Sequence, residues 1–161
     1  MMEKIAIFVD VQNIYYTTRD KYGANFDYNH FWYVATEGCE VQKAHAYAIA
    51  STDPKQRQFH HILRGIGFDV KLKPYIQRQD GSAKGDWDVG IALDVYEAAP
   101  TVDRVILLSG DGDFEILVTR IQQKFGTKVD VFGVPGLTAQ ALRDVCDKFI
   151  PIEESLLLKR F

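Results

Sequence analysis

Residues Val102–Phe125 read VDRVILLSGDGDFEILVTRIQQKF. An apolar run of strand type, Val102–Leu108, passes through a turn of glycines and acids into a segment of helical period, Gly112–Phe125. Repetition of such a unit builds a parallel sheet, because each strand must return to the same edge through a crossover. The chain repeats it on both sides of this stretch. Upstream, Lys4–Val9 (KIAIFV) is apolar throughout its centre, as expected of a strand buried on both faces. Ala44–Ala50 and Phe68–Pro74 read as two further strands. A helix between them starts at Asp53 and Pro54 and runs to about Arg64, with Pro54 suited to its first turn. Ile76–Gly85 is a polar, glycine-bearing loop, and Asp86–Ala98 is a helix with Val89, Leu93 and Tyr96 on one stripe. Downstream, Thr127–Val134 is the fifth strand, ended by Pro135 and Gly136. Thr138–Lys148 reads as helical, and Glu153–Arg160 as a short amphipathic helical end. The expected architecture is a three-layer α/β fold around a mostly parallel, five-stranded central sheet.

No repeat, low-complexity tract or linker interrupts this order, so a single domain over residues 1–161 is expected. Two cysteines, Cys39 and Cys146, lie far apart without a CxxC pair, which excludes a disulfide framework or a zinc site and suits a reducing cytoplasm. The apolar run after Met1 is cut short by Asp10, so it supplies neither a secretory core nor a membrane span. A net charge of −3 argues against a generic basic coat for nucleic acid. The distribution is uneven, however. Residues 55–84 hold seven cations (Lys55, Arg57, Arg64, Lys71, Lys73, Arg78, Lys84) against Asp69 and Asp80. Such a segment could present a polyanion to an acidic pocket, or it is a solvated helix face followed by a loop.

The acids fall where ligands bind in open α/β sheets, beyond the carboxyl ends of the strands. Asp10 ends the first strand, and Asp111 and Asp113 follow the fourth in SGDGDF. Asp88 opens the helix before that strand. Gathered at one edge, four carboxylates would repel unless neutralised, and an all-oxygen ligand set of high charge suits Mg²⁺ or Mn²⁺ rather than zinc. The competing explanation is structural: Asp10, Asp88 and Asp113 as helix N-caps, Gly110 and Gly112 as turn residues. Other motifs fail on inspection. The twelfth position counted from Asp111 is Gln122, where a calcium loop needs Glu. Gln12 breaks an Asp-x-Asp phosphotransfer pattern, and no GxGxxG follows the first strand. His60 and His61, adjacent and so on different helix faces, read as solvent-facing histidines.

The segments FVDVQNI (Phe8–Ile14), KGDWDVGIALD (Lys84–Asp94), LLSGDGDFEILV (Leu107–Val118) and ALRDVCDKFIPI (Ala141–Ile152) together resemble the NYN domain of the PIN-like nuclease superfamily, in its LabA-like branch. The resemblance implies a PIN-like, Rossmann-like fold and metal-dependent hydrolysis of RNA phosphodiesters by in-line attack of water. It assigns Asp10, Asp88, Asp111 and Asp113 as catalytic metal ligands and makes Asn13 a partner that fixes the pocket or contacts substrate. Ser109 becomes a small polar residue lining the site. Of Asp86 and Asp88, the second directly precedes the apolar helical run and is preferred. Asp94, six residues on and about 240° around the helix, should face elsewhere. Lys84 is a phosphate contact at the mouth of the site. Arg57, Arg64, Lys71, Lys73 and Arg78 could track a strand, with Tyr75 or Trp87 stacking on a base, although Trp87 reads equally as a packed core residue. RNA is the expected partner and a homodimer a second one, since PIN-like relatives often pair. The alternative function is a non-catalytic RNA-binding or regulatory module of the same fold.

Overall fold

A computed structural model describes residues 2–74, 76–77, 83–84 and 86–158. Its main sheet contains β1 (Glu3–Asp10), β2 (Cys39–Ile49), β3 (Asp69–Lys73), β6 (Arg104–Leu108), β7 (Lys128–Gly133) and β8 (Lys148–Pro151), in the order β3-β2-β1-β6-β7-β8. Every neighbouring pair is parallel. The sheet therefore has six strands rather than five. The additional one, β8, starts at Lys148, the last residue expected to be helical, while α6 spans only Gln140–Val145. Asp147 explains the early stop. Its carboxylate accepts the backbone N–H of Val129 at 2.7 Å and the Gln122 side-chain amide at 3.0 Å, which draws the chain onto the edge of β7.

The expected loop at Ile76–Gly85 contains a small antiparallel hairpin, β4 (Ile76–Gln77) with β5 (Ala83–Lys84). At the other end, the expected helix over 153–160 is a single 3-10 turn at Glu154–Leu156 within the described residues.

Two helical layers cover the sheet, and alternation along β1 sorts its side chains between them. Ile5, Ile7 and Val9 enter one core with α1 (Val11–Tyr22), α2 (Tyr28–Thr36) and α3 (Pro54–Ile66). Ala6 and Phe8 enter the other with α4 (Asp88–Ala98), α5 (Glu115–Phe125) and α6. Each strand of β1 type is buried on both faces, which is why its sequence is apolar without alternation. Because strand order reverses between β1 and β6, their carboxyl ends open a crevice at a topological switch point. No helix among the described residues is long and apolar enough to cross a membrane.

Candidate active site

The crevice is lined from three places in the chain. Asp10 is the last residue of β1 and remains only 9% exposed. The Ser109 hydroxyl donates to Asp10 Oδ2 at 3.1 Å and accepts the Asp111 backbone N–H at 3.2 Å. Asn13, in the first turn of α1, accepts the Gly110 N–H on its Oδ1 at 2.8 Å. The supporting residues thus tie the end of β1 to the loop after β6.

That loop is clamped from its far side. The Gly110 carbonyl accepts the Ala139 N–H at 2.9 Å, and a Cβ on Gly110 would come within 2.7 Å of the Leu137 carbonyl. One on Gly112 would meet the Ala139 methyl at 2.9 Å. The two glycines serve close approach between loops, neither having a positive φ.

Asp88, Asp111 and Asp113 each bring a carboxylate oxygen within 4.8 Å of the others. Asp10 stands beside this threesome rather than within it. The capping explanation separates these acids cleanly. The helix-start N–H groups are served by Asp86, whose Oδ1 accepts from Asp88 at 3.2 Å, and by Asp111, whose Oδ1 accepts from Asp113 at 2.9 Å. Asp10 makes no side-chain cap for α1, although it precedes it. Of the Asp86–Asp88 pair, it is Asp88 that joins the cluster.

Repulsion between two carboxylates at such separations runs from about 1 kcal/mol in water to about 4 kcal/mol near a protein surface. Burial, the shared contact with Asp111 and the nearby charges of Asp10 and Asp86 push Asp88 up to about 7. Burial also pushes Asp10 up to about 6, assisted by Asp111 and Asp86 and opposed by the Ser109 hydrogen bond. Among the described residues no Lys, Arg or His forms an ion pair with Asp10, Asp88, Asp111 or Asp113. Hard oxygen donors with excess negative charge and no protein cation fit a divalent ion.

Other residues lie apart. Asp94 accepts from the Tyr47 hydroxyl and pairs with Lys71, both at 2.8 Å. Burial works against its ionisation, yet the bonds from Lys71 and Tyr47 outweigh this and hold its carboxyl below the ordinary range. Lys73 sits over the Trp87 ring at 4.6 Å and donates to the Asp86 carbonyl at 2.9 Å. Trp87 is a packing residue: its indole N–H donates to the Ala48 carbonyl at 2.8 Å, and its ring meets Tyr47. Lys71 and Lys73 are therefore committed, while Arg57 and Arg64 project from α3 into solvent. The side chain of Lys84, like Tyr75 and Arg78, lies outside the described residues.

Two expectations about helix faces differ from the structure: Val89 and Leu93 of α4 are 72% and 65% exposed, the buried positions of that helix being Ile91, Val95 and Ala98, and the two histidines of α3 part company. His61 is exposed as expected, but His60 is only 4% exposed. It lies three residues before the buried Leu63, on the inner stripe of α3, and that spacing is the signal that marks it.

The sequence pattern of the family described as the NYN domain matches residues 4–153. The chain belongs to the NYN family. This NYN domain is 28% identical over 159 residues to the Low amplitude and bright protein LabA of Synechococcus elongatus, covering 94% of the chain and 84% of that relative. The crystal structure of a protein of unknown function from Vibrio parahaemolyticus superposes with a TM-score of 0.94 at 69% identity, covering 98% of this chain and 97% of that one. Ribokinase from Giardia lamblia, 11% identical with a TM-score of 0.51 over 94% of this chain and 58% of its own, shares the α/β fold alone. The NYN family and the acid cluster together fit a nuclease.

Proposed function

We propose that this NYN domain is a ribonuclease that uses Mg²⁺ or Mn²⁺ to hydrolyse RNA phosphodiesters in a reducing cytoplasm. The observation that supports it most is the convergence of Asp88, Asp111 and Asp113 at the β1–β6 switch point, beside the buried Asp10. These four carboxylates would hold the cation, which when bound would supply Lewis acidity toward water and the scissile phosphate.

The chain's own residues do the rest. Burial and the neighbouring acids push Asp88 up to about 7, and a ligand carboxylate must be deprotonated, so metal affinity is expected to rise with pH. Ser109 keeps Asp10 oriented by donating to Oδ2, leaving Oδ1 for the site. Asn13 positions the acid loop through Gly110. The decisive experiment incubates purified protein with single-stranded and structured RNA, single-stranded DNA and a nitrophenyl phosphate, with Mn²⁺ or with chelator, and measures metal binding calorimetrically. Cleavage of RNA alone, lost with chelator, is expected. Intact RNA together with no metal binding overturns the reading.

A further inference from the structure

The acid cluster uses only the α4–α5 side of the carboxyl edge. On the opposite side, between α1 and the start of α3, lies a cleft of about 980 Å³, at the upper end of the range for ligand pockets. Its wall includes Val11 and Gln12, the two residues that follow Asp10. Ala48 lines it as well, and the Ala48 carbonyl accepts the indole N–H of Trp87, the residue before Asp88. The cleft is thus tied to the acids twice, through the backbone at Asp10 and through the Trp87 side chain before Asp88.

Its chemistry is opposite to that of the acid site. No Asp or Glu among the described residues lines it, although the chain holds 22 acids. None lines a second cavity of about 630 Å³ that shares Ala50, Ser51 and His60 with it. The cations at hand are Lys55 in the first cavity and Arg57 and Arg64 in the second. Aromatic surface is available too. Tyr15 and Tyr16 line the cleft with rings 5.5 Å apart, edge to face, and Tyr16 is 63% exposed. His60, nearly buried in the wall common to both cavities, makes no hydrogen bond among the described residues. Its ring nitrogens stay accessible from the cavity, so a group entering there can hydrogen-bond to them.

We propose that this cleft binds an unstacked base of single-stranded RNA, with Tyr16 as the stacking surface and His60 facing the base edge. The sugar-phosphate chain then crosses from the acid cluster to Lys55 and onward along Arg57 and Arg64. This assignment rests on the ribonuclease reading for the kind of strand, but its geometry is independent of cleavage. A duplex, whose bases stay stacked, cannot enter.

The test is fluorescence anisotropy of a fluorescein-labelled single-stranded RNA of about ten nucleotides, within the site sizes known for strand-binding grooves, and of its duplex. Titrations are run with the full chain in Ca²⁺ and again in chelator. The single strand is expected to bind more tightly than the duplex, and Tyr16→Ala to weaken it about five- to hundredfold, the range for loss of one stacked base. Arg57→Ala and Arg64→Ala are each expected to flatten the salt dependence by about 0.7 in logarithmic slope. His60→Gln should weaken binding as well. If that variant melts early, Tyr16→Ala and Arg57→Ala, at exposed positions, still decide the matter. Equal binding of duplex and single strand, absence of RNA binding in both conditions, or indifference to Tyr16→Ala, Arg57→Ala and Arg64→Ala overturns the proposal. The two readings fail separately. The expected binding pattern without Mn²⁺-dependent cleavage leaves the cleft assigned and removes the nuclease. Cleavage with unchanged KM in Tyr16→Ala does the reverse.

Discussion

The two sides of the sheet's carboxyl edge are made of the same material, short loops between parallel strands and helices, and carry contrary chemistry. Toward α4 and α5, three carboxylates crowd together beside a fourth, Asp10, and two of the four are pushed toward neutral pH. Toward α1 and α3, a cleft contains aromatic rings and a lysine and no carboxylate among the described residues. Between them stands β1, whose Val9 faces one helical layer while Phe8 faces the other. The difference teaches that charge along this carboxyl edge is sorted between its two sides. A net charge of −3 for the whole chain conceals both halves.

Breaking the acidic half should have the largest effect. Asp10→Asn, or Asp111→Asn, is expected to reduce metal-dependent RNA cleavage by about 10²–10³-fold, corresponding to several kcal/mol of lost charge stabilisation, as read in single-turnover kinetics. Mn²⁺ at about a hundred times its Kd should stabilise the protein by about 2.7 kcal/mol, raising Tm by roughly 5–10 °C, and Asp88→Ala should remove that rise in a melting assay.

The scaffold between the halves gives the next effect. Asn13→Ala leaves the Gly110 N–H without its partner and should cost about 1–3 kcal/mol in denaturant unfolding, with cleavage falling as the acid loop loosens. A pH series sharpens the electrostatic side of the contrast. Asp10 and Asp88 have folded-state values above those of the unfolded chain, so the metal-free protein binds more protons when folded. Their contribution favours folding below about pH 4 and is lost as pH rises through about 6–7. Melting temperatures across that window should fall less steeply for Asp88→Asn. The smallest effect belongs to an acid outside both halves. Asp94→Asn should cost about 1 kcal/mol through its weakened contacts with Lys71 and Tyr47, with cleavage unchanged.

Most of the fold was legible because strands buried on both faces announce themselves as apolar runs, as Lys4–Val9 and Val102–Leu108 do. The failures have local causes. β2 begins at Cys39 rather than Ala44 because its register against β1 shifts between Ile5 and Ala6. Gln42 is left as an extra residue there, and the alternation that identifies a strand is broken. β8 is a four-residue edge strand with no fully buried position, and the side chain that draws it into the sheet, Asp147, lies in the apparent helix before it. At the sheet's carboxyl edge, residue types and chain positions were enough to expect Asp88, Asp111 and Asp113 together, with Asp10 beside them. They could not show that Asp86 and Asp111 provide the caps, since either acid of an i, i+2 pair satisfies the same rule. The cleft was invisible, because its residues come from α1, the β2–α3 loop and α3 and share no motif.

The clamp on Gly110 has a practical bearing on how the molecule can be trimmed. Every acid of the site precedes residue 114, yet the turn that carries Asp111 and Asp113 is braced by Leu137 and Ala139. A shortened gene product ending after β7 would keep all four carboxylates and lose their alignment. Deletion mapping that tracks only the acidic residues would therefore place the end of the smallest fragment with an intact acid cluster too early.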